Sequence, residues 1–278
     1  MILLDGKLIA QNIKEELKNE ISKLSKKPKL SVILVGEDPA SQVYVGHKEK
    51  ACAQVGMDSE VIRLSANISQ SELENEIHRL NQDSDTHAIL LQLPLPGSLD
   101  SFSAIAKISP EKDSDCLTPY NQGLLALGRP LVKPCTPAGV IEMLKANDIA
   151  IAGKEAVVIG RSNIVGKPMA QLLLNENATV TICHSKTVDL KEHCMRADIV
   201  VAAAGIPQLV DSSYIKEGAS IIDVGIHRKE GKLIGDVNPL GMNEKAFALS
   251  PVPGGVGPMT IAGFLKNTLL LFEAQQEN

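Results

Sequence analysis

Ser41, Tyr44 and Lys48 stand at i, i+3 and i+7 in a stretch that opens with Asp38-Pro39. If that stretch is helical, all three face one way. A lysine amine beside a tyrosine can titrate near neutrality when both are shielded from water, which suits proton transfer. Taken alone, the favoured reading is a solvated helix face, because Glu49 and Lys50 lie close by. Gln92 interrupts the otherwise apolar run Leu90-Leu-Gln-Leu-Pro-Leu-Pro96. A buried amide there must find hydrogen-bond partners, either in a ligand or simply in neighbouring backbone. Asp115 closes the charged stretch Pro110-Glu-Lys-Asp-Ser-Asp115, where a turn residue is the simpler account.

A second group lies further on. Gly160-Arg-Ser-Asn-Ile-Val-Gly166-Lys-Pro168 follows the apolar Val157-Val-Ile159. A strand, a Gly-rich turn and a helix in that order aim backbone N–H groups and a helix dipole at a phosphate. The turn departs from G-x-G-x-x-G because position 162 is Ser. It is no P-loop either, since its glycines are one residue too far apart and Pro168 replaces Ser/Thr after Lys167. On the glycines alone, an ordinary strand-to-helix turn fits as well. The next strand shifts the balance, for it ends Cys183-His-Ser-Lys-Thr187. An NAD site places a carboxylate there for the ribose hydroxyls. Hydroxyls and a cation suit a ribose phosphate, with Arg161 completing the cradle, which points to NADP. Asp189 is the competing acid, but it reads as a helix cap beyond the strand.

These residues need elements to hold them. Ile9, Ile13, Leu17, Ile21 and Leu24 keep helical spacing. Leu30–Val35, Val61–Leu64 and Ala88–Leu93 read as strands, the first ended by Gly36 and the last by Pro94. Asp38 caps the helix that carries Tyr44 and Lys48, and Ser69 with Glu72 forms a capping box for the next. Residues 100–129 read as a loop-rich junction, after which Thr136-Pro137 opens another helix. Strands at Ala156–Gly160, Thr179–Cys183, Ile199–Ala204 and Ile221–Val224 repeat the alternation, with Pro168 in the first turn after the first of them. A last helix runs from Met259 to about Glu273, apolar enough to pack back on the first half. Strand–helix alternation predicts parallel sheets and an α/β protein of two domains.

Composition sets the limits. A chain of 278 residues suits two domains, and 44% hydrophobic with 22% charged residues is ordinary globular material. The net charge of −5 comes without a basic stripe, so nucleic acid is not an expected partner. No run is long enough to span a membrane, and Asp5 follows the first apolar residues too soon for a signal peptide. The five Cys include no C-x-x-C, so a reducing cytoplasm fits and no zinc or disulfide framework is expected. His184 beside Cys183 and His193 beside Cys194 would point to opposite faces of a strand, so no metal site is expected. Tyr-x-x-x-Lys also occurs in short-chain dehydrogenases, but there the cofactor turn precedes the pair. Here Tyr44 and Lys48 precede Gly160 by a whole domain, which rejects that family.

Seven blocks together resemble one family. Pro39-Ala-Ser-Gln-Val-Tyr-Val-Gly-His-Lys48, Leu91-Gln-Leu-Pro-Leu-Pro96, Pro110–Asp115, Lys133-Pro-Cys-Thr-Pro137, Gly160–Pro168, Cys183–Thr187 and Pro251-Val-Pro-Gly-Gly-Val-Gly-Pro-Met-Thr260 occur in order across nearly the whole chain. The chain is thereby similar to the bifunctional methylenetetrahydrofolate dehydrogenase/methenyltetrahydrofolate cyclohydrolase family. The resemblance implies an N-terminal α/β substrate domain and a Rossmann-type NADP-binding domain with a cleft between them. It divides the chain at residues 1–136, joined by a C-terminal helix 258–278, and 137–257.

It also implies chemistry in one-carbon metabolism. Methylenetetrahydrofolate gives a hydride to NADP⁺, and water then opens the methenyl ring to 10-formyltetrahydrofolate. The family's roles carry over to Lys48 for proton traffic, Gln92 to hold its amine, Tyr44 beside the folate ring and Asp115 on the pterin edge. Pro253, Gly254, Gly255, Val256 and Gly257 would approach the ligands. Gly160, Arg161, Ser162 and Ser185 would hold the phosphates and ribose of NADP, and Ile226 would lie near the nicotinamide. A homodimer is expected on the family alone. One departure stands out. The family usually has Val-Asp-Gly where this chain has Ser114-Asp115-Cys116, so a positive φ there would strain Cys116. A dehydrogenase that has lost the second activity, and a non-catalytic NADP- or folate-binding protein, are the alternatives. Intact Tyr44, Lys48 and Gln92 weigh against both.

Overall fold

A computed structural model describes residues 1–97 and 99–276. In chain order these residues form β1 (Ile2–Leu3), α1 (Gly6–Ile21), β2 (Lys29–Val35), α2 (Pro39–Val55), β3 (Asp58–Leu64), α3 (Gln70–Gln82), β4 (Ala88–Leu91), α4 (Ser101–Ile105) and α5 (Pro119–Ala126). Then come α6 (Cys135–Ala146), β5 (Glu155–Ile159), α7 (Gly166–Asn175), β6 (Thr179–Cys183), α8 (Leu190–Arg196), β7 (Ile199–Ala202) and β8 (Ser220–Asp223). The hairpin β9 (His227–Lys229) and β10 (Lys232–Ile234), β11 (Ala248–Leu249) and α9 (Val256–Gln276) complete the chain.

The chain forms two compact units. One holds Asn12–Lys133 and the chain from Ile261 onward. Its parallel sheet runs β3-β2-β4, with β2 buried between its neighbours. A strand covered on both faces reads as a continuous apolar run, as Leu30–Val35 does. Ile33, Val35, Ile89 and Leu91 meet Leu73, Ile77 and Leu80 of α3 in a buried cluster. Local chemistry sets the helix ends. The Asp38 carboxylate accepts from the Ser41 N–H at 2.7 Å, and α2 stops at Gly56 in the left-handed region (φ +83°). The capping box of Ser69 and Glu72 opens α3 with both of its reciprocal bonds.

The other unit holds Met1–Gln11 and Pro134–Thr260. Among the described residues its parallel sheet runs β1-β11-β8-β7-β5-β6. The chain builds outward from β5 to β6, then returns to β7 on the other side. The carboxyl ends of β5 and β7 therefore flank a topological switch point, where open α/β sheets bind ligands.

Several expectations shift. Residues 1–11 join the dinucleotide-type unit, because Ile2 pairs with Ala248 and Leu3 with Leu249. The units change at 133/134 and again at 260/261, inside α9. Two-residue strands leave no periodicity to read, which is why β1 and β11 escape the sequence. The stretch from 100 to 129 is less irregular than expected. Asp100 caps α4 by accepting from Phe102 and Ser103, and Thr118 caps α5, with Pro119 in its first turn. Both caps are visible in the sequence, but the helices they start are too short to show a face.

Candidate active site

The face of α2 that carries Ser41 and Lys48 turns inward. Ser41, Val45, Lys48, Ala51, Cys52 and Val55 are its buried residues, and Tyr44 beside them is half-buried. Lys48 is only 6% exposed, which overturns the solvated-face reading. Its Nζ donates to Gln92 Oε1 at 2.8 Å and lies 4.3 Å from the centroid of the Phe264 ring. Gln92 sits one residue past the end of β4, two residues earlier than the expected end of that strand. Its N–H still reaches the Ile33 carbonyl at 2.9 Å, and its Nε2 donates to the Leu93 carbonyl at 2.6 Å. With the amide's nitrogen committed to backbone, its oxygen is fixed toward the amine. Burial pushes the Tyr44 phenol above its ordinary range, so it remains a hydrogen-bond donor at neutral pH.

Asp115 is half-buried in a loop that its neighbours fix. Ser114 bonds the Ile89 carbonyl through both its N–H and its hydroxyl. The Asp113 carboxylate accepts from the N–H groups of Leu117 and Thr118 and from Asn121 Nδ2. Asn267 Nδ2 donates to the carbonyls of Ser114 and Lys133 at 2.8 Å each. Asn267 stands about one helical turn beyond Phe264 on α9. The helix that lies under the Lys48 amine thus also ties down the residue before Asp115. Cys116, fully buried, takes φ +56°, the left-handed conformation expected to strain it.

In the other unit, Gly160 ends β5 with φ +136°, and a Cβ there would run into the Ala203 carbonyl. A Cβ on Gly166 would run into the Gly160 carbonyl, so α7 starts hard against the strand. The Ser162 hydroxyl accepts from the N–H groups of Val165 and Gly166, which leaves its own proton to donate. Arg161, Ser162 and Ser185 are exposed around this turn. The turn after β6 is closed by Thr187, whose hydroxyl accepts from the His184 N–H at 2.8 Å. Asp189 caps α8, as expected, from the left-handed region and makes no side-chain cap bond. Two glycines without room for a side chain, a free hydroxyl proton on Ser162 and a cation around an exposed turn fit a dinucleotide phosphate.

Two family models match the chain: the tetrahydrofolate dehydrogenase/cyclohydrolase catalytic domain over residues 4–115 and its NAD(P)-binding domain over residues 134–276. The chain belongs to the tetrahydrofolate dehydrogenase/cyclohydrolase family. Bifunctional protein FolD of Geotalea uraniireducens is 53% identical over 96% of this chain and 97% of its own length. The crystal structure of FolD from Campylobacter jejuni superposes with a TM-score of 0.96 at 47% identity, covering all of both chains. FolD of Trypanosoma brucei, complexed with NADP and an inhibitor, gives 0.96 at 41% identity over 100% of this chain and 99% of that one. The chain is therefore a bifunctional enzyme of folate one-carbon metabolism. It oxidises 5,10-methylenetetrahydrofolate with NADP and hydrolyses the methenyl product to 10-formyltetrahydrofolate. Nothing in these comparisons supports a dehydrogenase-only member.

The residues expected in the site divide between the units of this family fold. Tyr44, Lys48, Gln92 and Asp115 belong to the first; Gly160, Arg161, Ser162, Ser185, Ile226 and Pro253–Gly257 belong to the second. Within the second, a Cβ on Gly257 would lie 3.7 Å from the Ile226 side chain, so those two positions adjoin. Gly254 takes φ +105°, its carbonyl accepts from the Lys7 N–H, and Gly255 closes a turn on the Pro251 carbonyl.

Sequence reasoning missed Phe264 and Asn267, and it missed two buried carboxylates of the family's cofactor unit. Asp223 Oδ1 accepts from Gly225 and Asp236 N–H, and its Oδ2 from Val237 N–H. Asp236, fully buried, accepts from the Ala204 and Gly205 N–H groups and meets His227 Nε2 at 2.7 Å. A lone acid ending the apolar run Ser220-Ile-Ile-Asp223 was the available signal. Burial pushes the Asp223 carboxyl up to about 6, against the pull of its three backbone donors. A carboxyl raised on folding stabilises the chain below its unfolded value, and that contribution is lost as pH rises through the folded value. Denaturant melts of wild type and Asp223→Asn from pH 4 to 7 should therefore show the wild type losing ground to the variant as pH rises to about 6. A pH-independent difference would refute this.

Proposed function

We propose that Lys48 is the group that moves protons in the cyclohydrolase step. The observation that carries this reading is its buried amine, oriented by Gln92 and lying against Phe264. Water adds to the methenyl carbon, and Lys48 takes one of its protons. The C–N5 bond then breaks, with a proton delivered to N5, leaving the formyl group on N10. Charge balances, because cation plus water gives the neutral formyl compound and one proton.

The dehydrogenase step asks less of the side chains. The bridging carbon lies between two nitrogens whose lone pairs stabilise the cation left when hydride departs. Alignment therefore matters more than a base. NADP⁺ supplies the hydride acceptor. Ser162 would hold its phosphates through its hydroxyl, where the bare Cα of Gly160 lets the backbone come close. Arg161 and Ser185 would bind the ribose phosphate, and Ile226 would lie near the nicotinamide end. Tyr44 lies on the folate ring, Asp115 accepts two hydrogen bonds from the pterin edge, and Pro253–Gly257 approaches through backbone.

The chain works, on this reading, as a cytoplasmic homodimer. No helix among the described residues is long and apolar enough to cross a membrane. The edge strand β6 leaves Ile182 40% exposed, with Leu174 and Val188 exposed nearby in sequence, a surface that a second copy can cover. Sedimentation equilibrium should give about twice the 29.7 kDa of one chain, and a monomer at micromolar concentration would rule the dimer out.

Lys48→Met should abolish ring opening, measured by methenyl decay, while NADP binding stays near wild type. Wild-type decay in that variant would remove Lys48 from the mechanism. Arg161→Ala should raise the Kd for NADP by about tenfold or more and that for NAD much less, as loss of a charge-assisted phosphate contact predicts. Equal losses would show that Arg161 does not read the ribose phosphate.

A further inference from the structure

We propose that Asp236, paired with His227, is a positioning residue for hydride transfer. The inference rests on placing the nicotinamide end of the cofactor at Ile226. The turns after β7 and β8 leave neighbouring strands at their carboxyl ends, beside the switch point of the sheet. Asp236 ties the two together. Its Oδ2 accepts from the Ala204 N–H at 2.7 Å and the Gly205 N–H at 2.8 Å, on the β7 side. Its Oδ1 takes His227 Nε2 at 2.7 Å, on the β8 side, one residue past Ile226. That contact brings the ring and the carboxyl group within hydrogen-bond distance.

The carboxylate is itself held. Asp223 binds the backbone N–H groups of Asp236 and Val237 and that of Gly225. A Cβ on Gly225 would run into Asp236, and one on Gly235 would run into Asp223, so nothing larger fits beside either acid. Asp223 already secures Gly225 to the 236–237 segment. What Asp236 adds is the bond across to the other turn and the one to the side chain that follows Ile226.

None of these atoms belongs to the residues assigned to the phosphates and ribose, which stand at the ends of β5 and β6. Disturbing Asp236 should therefore loosen alignment of the hydride acceptor more than affinity for the cofactor. Misplacement by about 1 Å can cost as much as 100-fold in rate. The ring-opening step needs no cofactor and draws on Lys48 and Gln92 in the other unit, so its rate reports whether a variant is folded.

The test uses the full-length enzyme with Asp236→Ala and, because an emptied buried acid can prevent folding, His227→Ala. The His227 side chain is 21% exposed and its loss is easier to tolerate. Four quantities are measured: dehydrogenase kcat, methenyl hydrolysis without NADP, the calorimetric Kd for NADP⁺, and amide hydrogen exchange at Ala204 and Gly205. Expected are a fall in dehydrogenase kcat of about tenfold or more for Asp236→Ala and several-fold for His227→Ala, as misalignment predicts. Hydrolysis should stay within about twofold of wild type and Kd within about threefold, with faster exchange at both amides. If Asp236→Ala does not fold, His227→Ala decides alone. Wild-type dehydrogenase turnover, or a fall shared equally by hydrolysis, overturns the proposal. Arg161→Ala in the same assays separates the causes. Unchanged NADP affinity there refutes the cofactor placement, whereas weakened affinity with wild-type turnover in the other two variants refutes only the positioning role.

Discussion

A lysine amine inside a protein has lost its water and has to be given other partners. Lys48 obtains them from two places far off in the sequence, the Gln92 amide and the Phe264 ring. Much of the substrate unit follows from that requirement. Helix α2 must turn its Ser41–Lys48 face inward. Strand β4 must end where its next residue can offer an amide oxygen rather than extend the sheet. The last helix must return from the far end of the chain to bring Phe264 under the amine. Asn267 then uses the same helix to hold Ser114, so the residue before Asp115 is fixed by the element that closes over Lys48.

The cofactor unit meets a different constraint, which is closeness of backbone to backbone. Gly160 and Gly166 lie so near the carbonyls of Ala203 and Gly160 that a methyl group would not fit. That closeness starts α7 directly at the strand end, with the exposed Ser162 accepting its first N–H groups. Further along the same edge, no glycine turn could do the work of Asp223 and Asp236. Between them those two buried carboxylates take the N–H groups of five residues, Ala204, Gly205, Gly225, Asp236 and Val237. One part of the sheet edge is thus shaped by missing side chains and the other by buried carboxyl groups.

Cys116 shows how far a site loop can tolerate a local fault. Its left-handed backbone costs about 1–2 kcal/mol relative to glycine. The loop keeps that conformation because the surrounding bonds leave no alternative: Asp113 gathers three donors and Gln122 Nε2 donates to the Cys116 carbonyl at 2.6 Å. The thiol itself is buried, which pushes its titration well above the usual range and keeps it from acting as a nucleophile.

The sequence by itself determined whatever depends on neighbours along the chain. The caps at Asp38 and Ser69, the strand–helix alternation, the Gly160 turn and the absence of a carboxylate at Ser185 are all short-range features, and each was legible. So was the grouping of Tyr44, Lys48, Gln92 and Asp115 as one candidate set, which the fold places in a single unit. Tertiary structure alone decided which face of α2 was buried, because a helix with polar residues on several sides carries no direction until something packs on it. It alone moved residues 1–11 into the cofactor unit, since a two-residue strand gains its identity only from the partner it pairs with. It alone brought Phe264 and Asn267 to the substrate unit and Asp236 to Ala204. Those contacts join residues from 32 to 216 positions apart, and no local pattern encodes them.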